Sequence, residues 1–232
     1  MIRLDKYLAH AKVGSRKEVK KIIRNGWITI NGELVKNDDY KVDENKDIVA
    51  LNNEVINYQQ FYYIMLNKPQ GYLSSTTDGD YPSVLNLIYE PFAYDLYPVG
   101  RLDANTTGLM LLSNDGILTH NLLSPKKHVD KIYEVKAKLP ITEAMINHLE
   151  SEITFEGITY KPGKVKIIDE YNILLTISEG KFNQIKNMMK SAGNEVVSLN
   201  RIQMGNLKLD LSLEVGDYRP LSEDEIIKLK EN

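Results

Sequence analysis

The stretch GRLDANTTGLMLLSNDG, residues 100–116, carries the strongest local signal for the fold. It begins as a polar loop around Asp103, continues as the apolar run 109–112, and ends in the turn Asn114-Asp115-Gly116. A loop that leads into an apolar run and a tight turn predicts a strand within a packed sheet. Asp103 follows Arg101 closely and precedes two threonines, so local donors can hold its carboxylate beside a cleft. A turn or capping role is the alternative interpretation of Asp103.

The sequence around this stretch predicts an α+β domain. Apolar runs predict strands at residues 62–66, 109–112, 131–137, 164–168 and 173–177. Helical spacing of apolar residues predicts helices at residues 117–123, 142–150 and 182–192. Strands and helices do not alternate strictly, so we expect a largely antiparallel mixed sheet with flanking helices.

The N-terminal segment predicts a small module of two helices and a hairpin. Apolar residues at helical spacing indicate a first short helix. Ser15 and Glu18 form a capping-box pattern for a second helix, and Gly26 lies where that helix should end. Asn31-Gly32 predicts a tight hairpin turn, and a further strand is expected at residues 48–51.

An uncharged segment, residues 57–61, is the expected linker between two domains. The sequence therefore predicts a module at residues 1–58 and a larger domain at residues 59–232. We expect Trp27 to be the hydrophobic anchor of the smaller domain.

Positive charge is concentrated at the N-terminus. The 232-residue chain has a net charge of -3, yet residues 1–26 hold eight Lys or Arg against Asp5 and Glu18. This asymmetry favours contact with nucleic acid, whereas an isolated charge run would indicate only a solvated helix face. The residues of this segment expected to bind RNA are Arg3, Arg16, Lys17, Lys20, Lys21 and Arg24.

Several classes of function are excluded or disfavoured by composition. The chain has no cysteine, which excludes disulfides, thiolate metal sites and cysteine nucleophiles. The four histidines are far apart, and neither a phosphate loop nor a dinucleotide motif occurs, so we expect no metal and no cofactor. No apolar run reaches the length of a membrane span or a signal peptide core, so we expect a cytoplasmic protein without a membrane partner.

Two further segments combine basic and aromatic residues. In SPKKHVDKIYEV, residues 124–135, basic residues precede Tyr133, and Lys126 and Lys127 are candidate RNA contacts. EGKFNQIKNMM, residues 179–189, opens a predicted helix with Lys181 and Lys186. Cations suit phosphates and flat rings suit unstacked bases, so both segments are typical of RNA binding. A half-buried strand residue is the alternative interpretation of Tyr133.

Together these segments resemble the RsuA-type pseudouridine synthases, which act on bacterial ribosomal RNA. Residues 1–58 are similar to the alpha-L RNA-binding module of a small-subunit ribosomal protein, through RLDKYLAHAKVGSRKEVKKIIRNGWITING. The rest resembles the catalytic domain through LNKPQGYLSSTTD, YPVGRLDANTTGLMLLSNDG, KIYEV and EGKFNQIKNMM. GRLDxxTTGL is highly specific for this family, whereas the N-terminal module is specific for RNA contact alone.

The resemblance implies an isomerase without metal or small-molecule cofactor that detaches uracil from its ribose, turns it and rejoins it through C5. Asp103 matches the catalytic aspartate, Tyr133 the tyrosine that stacks on the target base, and Lys186 the basic residue that pairs with the aspartate. The residues expected to bind the substrate are Arg101, Thr106, Thr107, Ile185 and Lys181. The absence of cysteine also separates this chain from the uracil C5 methyltransferases, which need a thiolate.

The substrate implied by the resemblance is ribosomal RNA or a ribosomal assembly particle, bound by a monomer. The segment 124–135 is closer to the small-subunit enzymes, so small-subunit RNA is the first expectation and large-subunit RNA the alternative. The third motif departs from the usual EGRYHQVKRM at Lys181, Phe182, Asn183 and Asn187, while the basic position at Lys186 is kept. A non-catalytic ribosome-assembly factor on the same fold is therefore the rival from another class.

Overall fold

The structure, a computed structural model, describes residues 1–124 and 127–231. They form two compact units, Met1–Phe61 and Tyr62–Asn232, whereas the boundary predicted from the sequence falls after residue 58. Within the described residues, no helix has the length and apolar character needed to cross a membrane.

The first unit contains two helices and short strands around its own apolar core. Its elements are β1 (Ile2–Arg3), α1 (Leu4–His10), α2 (Arg16–Arg24), β2 (Ile28–Ile30), β3 (Glu33–Leu34), β4 (Lys41–Val42), β5 (Val49–Leu51) and β6 (Glu54–Val55). The order β3-β2-β5-β6 makes one antiparallel sheet, and β1 pairs separately with β4. Buried residues of both helices, including Leu4, Leu8, Val19 and Ile23, pack in one cluster with Ile28.

Two local predictions for this unit are confirmed, and one is wrong. The capping box is confirmed, since Ser15 Oγ accepts from Glu18 N and the Glu18 carboxylate accepts from Ser15 N. The hairpin turn is confirmed by the positive φ of Asn31 and Gly32. The expectation for Trp27 is wrong, because its side chain is 48% exposed. Side chains alternate along a strand, so the inward position of Ile28 directs its neighbour Trp27 to the opposite face.

The second unit is built on a large sheet with helices packed beside it. Its strands are β7 (Tyr63–Lys68), β8 (Tyr97–Pro98), β9 (Thr107–Ser113), β10 (Lys131–Ala137), β11 (Ile153–Phe155), β12 (Ile158–Tyr160), β13 (Lys164–Ile167), β14 (Asn172–Ile177), β15 (Val196–Met204), β16 (Leu207–Lys208) and β17 (Tyr218–Pro220). Its α-helices are α3 (Gly116–Leu123), α4 (Glu143–Leu149), α5 (Gln184–Ser191) and α6 (Glu223–Lys230), with 3-10 turns at Val84–Leu87 and Ala93–Asp95.

The large sheet has the order β13-β14-β10-β15-β9-β7-β17, with β16 paired to β15 and β8 to β9. All of these pairs are antiparallel except β9 with β15, which is parallel. The predicted α+β class with a largely antiparallel mixed sheet is therefore confirmed. The prediction omitted β15, although this strand lies between β9 and β10 in the sheet.

The parallel pairing of β9 with β15 depends on a glycine. Gly108 lies opposite Arg201 and has φ +98°, a conformation that disfavours L side chains. A Cβ at this position would overlap Asn200 Oδ1 and the main-chain oxygen of Arg201. Gly108 thus permits the close approach of β15 to the strand that follows the Asp103 loop.

Candidate active site

A cleft of about 920 Å³ lies in the second unit, a volume within the usual range of ligand sites. Its walls come from residues of the loops 73–79 and 101–106 and of the segment 180–186, which includes the start of α5. Tyr133 and Ile177 contribute from strands β10 and β14. Among residues 1–124 and 127–231, no three histidine or acidic side chains are grouped so as to hold a metal ion.

A close ion pair lies in this cleft. Lys186 Nζ is 2.6 Å from Asp103 Oδ2, although the two residues are 83 positions apart in the chain. Both side chains are partly exposed, 27% for Lys186 and 31% for Asp103, so the pair is open to the cleft. Helix α5 presents the lysine and the loop before β9 presents the aspartate. The structure therefore brings together two of the residues expected to be catalytic.

The main chain of the Asp103 loop accepts hydrogen bonds from Lys68, a residue that the sequence-based predictions did not include. Lys68 is completely buried at the end of β7. Its ammonium donates to the main-chain oxygens of Asp103 at 3.1 Å, Thr106 at 2.9 Å and Pro69 at 3.0 Å. Burial is the main cause that lowers the pKa of Lys68 to about 8. A lysine at the end of a mostly apolar strand is the sequence signal that could have revealed it.

The cleft also has an apolar side. Tyr133 and Ile185 both line it and are buried, with exposures of 6% and 4%. Ile177 and Leu199, from neighbouring strands, add further apolar surface. A flat apolar wall beside a charged pair can contact a base on its face while the charges lie near its sugar.

The expected substrate-binding residues divide into three groups. Arg101 and Lys181 are exposed and line the cleft. Lys181 also forms an ion pair with Glu179 at 3.2 Å. Thr106 also lines the cleft, and its buried hydroxyl makes no hydrogen bond with any described residue. Thr107 does not belong to the cleft lining, since its hydroxyl lies 3.2 Å from Asn200 Oδ1 and 3.3 Å from the main-chain oxygen of Leu199 on β15.

The departures in the third motif occupy different environments. Phe182 is 76% exposed and lines the cleft. Asn183 has a left-handed backbone, φ 51°, immediately before α5. Asn187 lies within α5 and donates to the Tyr160 hydroxyl at 2.9 Å. Phe182 and Asn183 therefore lie at the cleft, whereas Asn187 has a contact within the fold.

The basic residues of the first unit lie in one region but are partly neutralised. Arg3, Arg16, Lys17 and Lys20 line a shallow depression together with Asp5. The guanidinium of Arg3 donates twice to Asp5, at 3.0 and 3.1 Å, and this contact lowers the pKa of Asp5.

Two of the α2 residues expected to bind RNA are also paired. Lys20 and Arg24 approach Asp38 at 3.4 and 3.7 Å. Arg16, Lys17 and Lys21 make no ion pair with the described residues, so these three form the open part of the basic face. An acidic side chain therefore approaches part of the predicted RNA-binding set, and RNA contact by these residues stays a prediction. Lys127 in the second unit is exposed, and Lys126 lies outside the described residues.

Comparison with known proteins identifies the family. Residues 62–191 match the RNA pseudouridylate synthase model, and residues 2–48 match the S4 domain. The chain belongs to the RNA pseudouridylate synthase family, in agreement with the resemblance of its motifs.

Relatives match over nearly the whole chain. An uncharacterized RNA pseudouridine synthase of Bacillus subtilis, YtzG, is 45% identical, and the match covers 99% of both chains. The ribosomal small subunit pseudouridine synthase A of Haemophilus influenzae is 41% identical over 98% of this chain and 99% of its own. A crystal structure of a pseudouridylate synthase is 40% identical, covers 99% of this chain and 100% of its own, and has a TM-score of 0.70.

Proposed function

We propose that this chain converts a uridine of small-subunit ribosomal RNA to pseudouridine. The observation that carries the proposal is the ion pair between Asp103 and Lys186 in a cleft whose apolar side includes Tyr133. The choice of ribosomal RNA is supported by relatives named ribosomal small subunit pseudouridine synthase A, which are 38% to 41% identical to this chain.

The reaction breaks the bond between uracil N1 and the ribose and forms a bond from C5 to the same ribose carbon. A proton leaves C5 and a proton is gained at N1, so no atom enters or leaves overall. Asp103 is the proposed catalytic carboxylate, whether it attacks the sugar, attacks the ring or removes a sugar proton. Each route needs a carboxylate beside the bond that joins uracil to ribose, and Lys186 balances its charge at 2.6 Å.

The remaining cleft residues are proposed to hold the base after it leaves its stack. Tyr133 stacks on the uracil and handles the C5 proton, while Ile185 packs against the ring. Thr106 lines the cleft and is a further proposed contact of the substrate. Arg101 and Lys181 contact the RNA around the target, and exposed Phe182 provides a ring for a neighbouring base.

The S4 domain is proposed to add affinity for structured RNA through the open basic face of Arg16, Lys17 and Lys21. Lys127 is a further proposed contact from the second unit. The proposal includes a cytoplasmic monomer that needs no metal or cofactor, because the reaction requires neither oxidation nor an outside group.

The isomerisation leaves the mass of the RNA unchanged, so carbodiimide labelling followed by primer extension is the appropriate assay. Small-subunit RNA, large-subunit RNA and assembly particles would each be incubated with wild type and Asp103→Asn. We expect one new stop in small-subunit RNA with wild type and below about one per cent of that signal with Asp103→Asn.

Retained RNA affinity, within about tenfold, would show that Asp103→Asn lost chemistry rather than binding. A stop in large-subunit RNA alone would replace the proposed substrate by its alternative. No stop in any RNA or particle would contradict the proposed enzyme and favour an assembly factor.

A further inference from the structure

We infer that Asn105 and Asn183 are positioning residues that hold the ammonium group of Lys186 against Asp103. This inference rests on the proposed function and adds two residues outside the predicted catalytic set. Lys186 Nζ lies 2.6 Å from Asp103 Oδ2, 2.7 Å from Asn105 Oδ1 and 3.4 Å from Asn183 Oδ1.

The three contacts match the bonding capacity of the lysine. An ammonium group has three N–H donors and no acceptor. The carboxylate takes one donor and the two amide oxygens take the others, so no donor is left for an RNA phosphate. Lys186 is thus dedicated to Asp103, and the two asparagines determine the direction of its side chain.

Asn105 is held in place by the same turn that presents Asp103. Thr106 N donates to the main-chain oxygen of Asp103 at 3.0 Å, and this bond closes the turn. The main-chain oxygen of Asn105 accepts from Gln70 Nε2 at 3.4 Å. The loop therefore presents an amide oxygen and a carboxylate oxygen, two residues apart, to the same ammonium group.

Asn183 uses its side chain in a way that is unusual for its position. It is the N-cap of α5, where an asparagine commonly accepts from a main-chain N–H of the first turn. Its side chain makes no capping bond, and its Oδ1 accepts from the Lys186 side chain. Asparagine also tolerates the left-handed backbone, φ 51°, that this turn requires.

The position of Lys186 explains why additional acceptors are useful. Lys186 lies in the first turn of α5, where the helix dipole disfavours a positive charge. The amide oxygens of Asn105 and Asn183 offset this effect and restrict the lysine to the orientation that meets Asp103. Without them, the lysine could turn toward solvent or an RNA phosphate.

The experiment compares Asn105→Ala, Asn183→Gly and the double variant with wild type on a short uridine-containing RNA. Glycine keeps the left-handed backbone at position 183. We expect each change to lower kcat by roughly 3-fold to 10-fold, the double variant to lower it further, and KM to stay within about twofold.

Two controls separate positioning from other effects. In a Lys186→Met background, Asn105→Ala should change kcat by less than about twofold, because its effect acts through the lysine. Asn206→Ala removes an exposed amide that donates to the Lys228 main chain, outside the cleft, and should leave kcat unchanged.

A second measurement is independent of turnover. In ¹⁵N-lysine-labelled protein, the wild-type Lys186 ammonium should give a slowly exchanging signal, assigned by its loss in Lys186→Met. The signal should disappear in the double variant and persist better in Asn105→Asp, which keeps an acceptor oxygen. If wild type has no turnover, the proposed function fails, and this signal still tests the positioning.

The inference would be overturned by a double variant with kcat within about twofold of wild type. A raised KM at unchanged kcat, or an equal effect in the Lys186→Met background, would instead assign the asparagines to RNA contact. Persistence of the ammonium signal in the folded double variant would also overturn it.

Discussion

The buried ammonium group of Lys68 lies 3.1 Å from the main-chain oxygen of Asp103 and 2.9 Å from that of Thr106. One side chain therefore binds both ends of the turn that carries the proposed catalytic carboxylate. The orientation of Asp103 depends on a strand residue that precedes it by 35 positions and does not line the cleft.

Replacing Lys68 by Met should weaken both the fold and the reaction. Methionine fills similar space but removes the ammonium that donates to the main-chain oxygens of Pro69 and Thr106 and shares the Asp103 oxygen with Thr106 N. We expect the free energy of unfolding to fall by about 2 to 4 kcal/mol, measured by urea denaturation. The kcat should fall more than about tenfold in the folded variant, because Asp103 loses its support. Unchanged stability and kcat would refute this role.

The same lysine predicts a pH dependence with a definite sign. The pKa of Lys68 is lowered from 10.5 to about 8 in the folded protein, chiefly by burial. Between these values the unfolded chain binds more protons at this residue, so the free energy of unfolding should rise with pH. The stability difference between wild type and Lys68→Met should grow over this interval, by up to about 1.4 kcal/mol per pH unit. A difference that stays flat or shrinks would contradict the prediction.

Tyr133→Phe separates the two proposed roles of this tyrosine. The phenylalanine ring can still stack and fill its buried position, but the hydroxyl that would handle the C5 proton is gone. We expect kcat to fall by about 100-fold or more with RNA affinity retained, measured by carbodiimide labelling and filter binding. Tyr133→Ala should lose affinity as well and destabilise the core by about 3 kcal/mol. Wild-type turnover in Tyr133→Phe would leave stacking as its role.

The open basic face of the S4 domain can be tested by reversing three charges. Arg16→Glu, Lys17→Glu and Lys21→Glu together should weaken binding to structured ribosomal RNA. They should also reduce the slope of log affinity against log salt by about 0.7 to 0.9 per lost phosphate contact. Turnover of a short RNA fragment at high concentration should remain, because the cleft belongs to the second unit.

A matched control reverses Lys164, Lys166 and Lys208, which are exposed in the second unit and give the same change in net charge. Lys20 and Arg24 are less suitable for reversal, since both approach Asp38. If the two triple variants have equal salt slopes, the loss of affinity comes from the change in net charge, and the open basic face has no special role in RNA binding.

Gly108→Ala should be one of the most damaging small substitutions in the second unit. Its added carbon would overlap the main chain of β15, and the backbone has φ +98°. We expect a loss of at least about 3 kcal/mol in the free energy of unfolding. Gly116→Ala provides the control, since a Cβ there meets no atom within 4 Å. Equal stability of the two variants in urea would refute the close approach.

Some elements could be predicted because a local pattern determines them. Strand β10 was predicted with its observed bounds, and its side chains alternate between buried and exposed positions after Lys131. Strand β15 was missed because polar Asn200 and Arg201 interrupt its apolar pattern. Arg201 is nevertheless buried, where its guanidinium donates to the Leu109 oxygen at 2.8 Å. A buried charged residue that donates to a distant strand leaves no periodic signal.

The candidate site shows the same division between local and distant information. No spacing rule links Asp103 to Lys186, which meet because the tertiary fold brings the β9 loop beside α5. Family resemblance supplied that pair, whereas the contacts of Lys68 and the two asparagines depend on side-chain geometry alone. Motif matching therefore supplied the proposed reacting groups but omitted the residues that contact them.

The central position of β15 has a consequence for biosynthesis. A growing polypeptide that ends before Val196 can form β7 with β9, and β10 with β14, but it lacks the strand that joins these two halves. Pairings between distant segments also form slowly. The cleft draws its walls from both halves, so a ribosome must synthesise β15 before the cleft can form. The active site therefore depends on a strand that is synthesised after every other wall of the cleft.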